Sequence, residues 1–77
     1  MAGYLLEPSE SRVPGRRIYP RTRQDLIAQV EAHYEHYGHL AKSVPCDVEL
    51  FPGTPARGRI HQNGLPRPLF FTLTRKD

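Results

Sequence analysis

Most of the chemistry open to this 77-residue chain lies in its arginines, four histidines and single cysteine. Arg12, Arg16, Arg17, Arg21 and Arg23 fall in a stretch without a single acid, and Arg57 and Arg59 sit two apart in a strand-like segment, followed by Arg67. Guanidinium forks match phosphate and carboxylate oxygens bidentately and stack on rings. Tyr4, Tyr19 and an outward Phe70 could supply faces for unpaired bases. The expected interface is therefore Arg12, Arg16, Arg17, Arg21, Arg23, Arg57, Arg59 and Arg67 with Tyr19 and Phe70. A pI of 9.4 passes the value of about 9 at which nucleic acid becomes a candidate partner. Against this, no helix-turn-helix, zinc-finger, RNP or KH pattern occurs. Arginine-rich usage also follows from GC-rich coding, and a solvated surface with Glu49 paired to Arg59 is the plainer reading.

His33, His36 and His39 are spaced by threes, so His33 and His36 could share a metal on one helix face. The order His33-Tyr34-Glu35-His36 is not that of a zinc hydrolase, and His39 rotates away. The expectation is no metal and no cofactor, with His33 at the margin of the core and His36 and His39 exposed. Cys46 shares its strand face with Val48 and Leu50, where a small buried thiol packs well; Asp47 and Glu49 beside it oppose thiolate formation. Gly53 to Gly58 lacks the Lys-Ser/Thr of a phosphate-binding loop, and Pro52 to Pro55 reads as turn geometry.

The elements that must position these groups follow from periodicity. Residues 1–21, rich in Arg and Pro, read as an extended arm with a short strand at Arg17-Ile18-Tyr19. Tyr4-Leu5-Leu6 is either a strand closing a sheet edge or an anchor for a partner. Thr22 is the expected N-cap, with Asp25 three residues on. Leu26, Val30, Tyr34, Tyr37 and Ala41 fall on one helical stripe flanked by Ile27 and Leu40, which places the helix end between Ala41 and Ser43. Beyond Pro45 the period becomes two: Cys46, Val48 and Leu50 alternate with Asp47, Glu49 and Phe51. Residues 57–61 form a weaker strand, Asn63-Gly64 a two-residue hairpin turn, and residues 69–74 a final strand. Pro66 and Pro68 in that last segment predict an edge position.

The fold class expected is α+β: one amphipathic helix on a three-stranded antiparallel meander, with residues 22–77 forming that unit and the N-terminal segment an arm or a fourth strand. Phe51 and Phe70 fall on the face away from the helix, where they are either exposed or covered by the arm. A chain this short buries a limited core, so a homodimer or a bound complex is a natural further stabiliser. No secretory leader pattern is present and no apolar run approaches the ~20 residues of a membrane span; with one thiol, the compartment expected is the cytoplasm. With no paired carboxylates and no activated nucleophile, the functional expectation is a non-enzymatic module docking on an acidic partner, nucleic acid ahead of an acidic protein surface. The competing class is a protein-binding regulator or inhibitor. The general look is similar to compact accessory proteins of phages and other mobile elements, including anti-defence factors, although no motif carries the likeness.

Overall fold

A computed structural model describes residues 3–76. Five strands and one helix follow in the order β1 (Gly3–Pro8), β2 (Arg16–Ile18), α1 (Arg23–His36), β3 (Cys46–Phe51), β4 (Ala56–Gln62) and β5 (Leu69–Lys76). The strands form one antiparallel sheet in the spatial order β2-β1-β5-β4-β3. The chain thus crosses from one sheet edge to the other through α1, which packs on one face.

Five strands replace the three- or four-stranded meander with an arm. The Arg/Pro-rich segment folds into the β1–β2 hairpin, and β1 pairs with β5 from Gly3↔Lys76 to Pro8↔Phe71. Its prolines fall at the strand end and in the turn, with Ser9 N–H donating to the Phe70 carbonyl at 2.8 Å. The connecting loop is anchored too, because Val13 is buried in the core. The pairing partner lies at the far end of the sequence, so no local pattern announces it.

Two further expectations change with the topology. β5 is the central strand, not an edge strand; Pro66 and Pro68 precede its first residue, so no ladder N–H is lost. The β4–β5 connection runs through residues 63–68. Its turn has Leu65 N–H on the Gln62 carbonyl at 3.0 Å and Gly64 at φ 102°. Asn63 does not share the positive φ that a two-residue type I′ turn requires at both positions.

The helix begins as expected. Thr22, extended at φ −137°, accepts from Asp25 N–H at 3.0 Å, while the Asp25 carboxylate accepts from Arg21 N–H at 2.9 Å and from Gln29. It stops earlier than its apolar stripe suggests. Tyr37 is the C-cap, Gly38 takes φ 77°, Gly38 N–H reaches the Glu35 carbonyl and His39 N–H the Tyr34 carbonyl, both at 3.0 Å. That pair of bonds is a Schellman ending, which glycine makes without steric cost. Leu40 is still buried, but as a loop residue beyond the helix, whereas Tyr37 and Ala41 are exposed.

Leu6, Val30, Tyr34, Ile60, Leu69, Phe71 and Leu73 form the centre of the core, between α1 and the sheet. Two details fix its shape. A Cβ on Gly58 would meet the Phe71 ring at 2.0 Å, so glycine is what lets that ring lie across β4. Gln62, 3% exposed, accepts from Ala41 N–H at 2.9 Å and donates to the carbonyls of Ala41 and Val44 at 2.9 and 3.1 Å, pinning the segment after the helix to β4.

Candidate functional site

Side-chain alternation and ladder register together define the sheet face away from α1. Because Leu6 and Leu73 point at the helix, Leu5, Glu7, Thr72, Thr74 and Lys76 point away from it. The same parity puts Arg17 of β2, Arg57, Arg59 and His61 of β4, and Asp47, Glu49 and Phe51 of β3 on the outer face. Phe70 joins them opposite Arg59. Phe51 is 45% exposed and Phe70 51%. The N-terminal segment, the one cover expected for these rings, lies in the sheet instead.

The two phenylalanines stand on a diagonal. Phe51 pairs across to Arg57 and Phe70 to Arg59, so the two arginines occupy the strand between the rings. Two strand spacings and one two-residue step separate the rings by about 12 Å. Arg59 forms an ion pair with Glu49 and sits over the Phe51 ring, 5.9 Å from its centroid. Tyr19 adds a third aromatic at the opposite corner: its ring covers Gly3, where a Cβ would lie 2.8 Å from Cε1, and it is 48% exposed.

The sequence-based interface is only partly brought together. Arg17, Arg57, Arg59, Tyr19 and Phe70 share the outer face. Arg16 points to the helix side, where with Gln29, Ala32, His33 and His36 it lines a shallow hollow beside α1. Arg21 and Arg23 flank the N-cap of α1 and line a different cleft. Arg12 and Arg67 are exposed in loops. Strand alternation could not separate these groups, because the edge that carries Arg16 and Arg17 was not visible as a strand pair. Thr72 and Thr74 follow Phe70 by alternation along β5, and Lys76 joins them because β5 runs on to pair with Gly3 of β1.

No family model, curated protein or solved structure matches the chain. Geometry alone carries the reading.

The other candidate chemistries have structural partners, except that the buried Nδ1 of His33 has none among the described residues. His33 is buried, and its Nε2 lies 2.8 Å from the Pro14 carbonyl, tying the loop before β2 to α1. Among the described residues, no three His, Cys, Asp or Glu side chains converge. Cys46 is half-buried near Gln62 Nε2, and burial, followed by the Glu31 charge, pushes its thiol above the ordinary range. Burial likewise holds the Tyr34 phenol protonated while its hydroxyl donates to the Phe70 carbonyl at 3.2 Å. No helix among the described residues is long and apolar enough to cross a membrane.

Proposed function

We propose that this chain is a non-catalytic binding module whose bare sheet face docks on an acidic partner, with single-stranded nucleic acid as the partner that face fits best. The carrying observation is the diagonal of exposed Phe51 and Phe70 with Arg57 and Arg59 between them. Exposed rings on a sheet take splayed bases by stacking, which is tolerant of sequence, while neighbouring cations meet phosphates. Rings about 12 Å apart cannot both stack on adjacent bases of a continuous duplex, whose step is about 3.4 Å. Unpaired, splayed bases suit them. Arg17 and Lys76 extend the cationic track toward Tyr19, past the hydroxyls of Thr72 and Thr74.

One observation favours the second reading, a protein-directed regulator or inhibitor. Asp47, Glu49 and Glu7 share the face with the cations, and aromatics among charges of both signs also suit a protein surface. Fluorescence anisotropy separates the two. A labelled single-stranded oligonucleotide should bind at ~50 mM salt, bind more weakly by ~200 mM, and outcompete its duplex. Phe70→Ala and Arg57→Glu should each weaken it. If neither DNA nor RNA is retained at the lower salt, the nucleic-acid reading is lost and the protein-directed one stands.

A further inference from the structure

The two edges of the sheet are not equally protected. An edge strand presents a row of unpaired N–H and C=O groups on which another extended chain can pair, and proteins blunt such edges with short strands, Pro, Lys or a bulge. At one edge β2 spans three residues, carries Arg16 and Arg17, and lies between Pro14 and Pro20. At the other, β3 runs for six residues with neither Pro nor Lys within it. Its register with β4 is unbroken from Cys46↔Gln62 to Phe51↔Arg57, so no bulge turns it away. Alternate residues of such a strand direct both backbone groups outward. Among the described residues, no backbone group of a turn, loop or cap bonds to those of β3. Cys46, Val48 and Leu50 are only partly buried against the core, leaving apolar surface for an added strand to cover.

Charge decides what this edge accepts. Asp47 is exposed on the outer face and has no hydrogen-bond or ion-pair partner among the described residues, whereas Glu49 is held by Arg59. On the helix side, burial pushes the Cys46 thiol up and the charges of Glu31 and Glu35 add to it, which places both carboxylates near the start of the strand. Lys42, exposed in the preceding loop, is one cation against these three acids. Arg57 and Arg23 stand at the other end, by Phe51. A second copy of the chain fits poorly. Antiparallel pairing of β3 with itself over most of its length sets Glu49 against Glu49, or Asp47 against Glu49, and like charges directly opposite destabilise a strand pair.

We infer that the β3 edge takes up an extended segment of a partner protein as an added antiparallel strand. Apolar residues of that segment lie beside Val48 and Leu50. Two consecutive cations follow, one meeting Asp47 on the outer face and the next meeting Glu31 and Glu35 on the helix side. The inference does not rest on the nucleic-acid reading, because an added strand lies in the plane of the sheet while the Phe51 and Phe70 rings project from it.

The test uses the full chain and the capped peptide Tyr-Val-Thr-Val-Lys-Lys, followed through amide chemical shifts. Saturable binding is expected at ~1 mM or below, with the largest shifts in β3. N-methylation of alternate peptide amides separates a ladder from a non-specific contact: one phase should abolish binding and the other leave most of it. Exchanging both lysines for glutamates should weaken binding about tenfold or more, and Asp47→Lys should reverse that preference. Asp47 is exposed at an edge, so this variant retains the fold. Phe70→Ala should leave the peptide's affinity unchanged. An absence of binding, equal effects of the two methylation phases, indifference of the wild-type chain to the charge exchange, or shifts centred on β2 or Phe70 would each overturn the inference. An oligonucleotide that fails to bind leaves it untouched.

Discussion

Single residues in this chain have roles that their types alone do not suggest. Gly58 has the composition of a loop residue, yet it lies mid-strand because the Phe71 ring occupies the space its Cβ would need. Gly58→Ala should therefore cost about 3 kcal/mol, the upper range for overpacking a dense core, as read by urea unfolding. Adding Phe71→Leu should recover part of that loss; a Gly58→Ala protein of unchanged stability would show that the ring has room to shift. Gln62 makes a sharper comparison. Its amide donates to two carbonyls, which a carboxylate cannot do. Gln62→Glu should destabilise by about 2 kcal/mol or more, and by more than Gln62→Met, since it places acceptors against acceptors. At Cys46 the raised thiol keeps the thiolate scarce at neutral pH. Iodoacetamide should modify it more slowly than a free cysteine, and Glu31→Gln should accelerate the reaction; an unchanged rate would remove the Glu31 charge from the account.

At the scale of elements, caps prevail over apolar patterning. The stripe through Tyr37 and Ala41 continued the helical period, but Gly38 offered a left-handed residue that closes the helix at His36 and turns Leu40 back onto the core. A helix loses little by ending where its last carbonyls find backbone donors. The start was legible because capping is local chemistry, set by Thr22 and Asp25 within four residues. Thr22→Ala should cost about 1 kcal/mol, the usual value of an N-cap. The bonds from Arg21 N–H and Gln29 lower the Asp25 pKa below its ordinary 3.8. The folded state then binds fewer protons than the unfolded one, so Asp25 adds stability that is complete above that value. It is lost as pH falls through the depressed folded pKa. Thermal unfolding followed from neutral to strongly acid pH should show a weaker acid-side decline in Asp25→Asn; parallel curves would remove Asp25 from that role.

For the whole molecule, the decisive event is the pairing of β1 with β5, which joins the two ends of the chain and makes β5 central. Its residues are the most separated in sequence, so closure carries the largest loop entropy of any strand pair. Replacing Leu6 with Ala at this junction should cost about 3 kcal/mol, since it is fully buried between Leu73 and the core. Replacing both Phe51 and Phe70 with Ser should change stability by only about 0.5 kcal/mol, because their rings are half exposed on the uncovered face. A large loss in the second case, by thermal unfolding, would mean the outer face is part of the fold's support and not free for a partner.

The sequence by itself determined the helix start, the alternation of β3 and β5, and hence that Phe51, Phe70, Arg57 and Arg59 share one face. Each of these is set by bonds or parities within a few residues. It also made the Glu49–Arg59 pair foreseeable from hairpin alternation. What only the tertiary structure decided is which arginines lie together. Arg16 and Arg17 are neighbours in sequence but point to opposite faces of an edge strand, and that strand exists only because β1 docks on a segment more than sixty residues away. The open edge at β3 is likewise tertiary, because β1 could have closed either side of the meander and pairs with β5 instead.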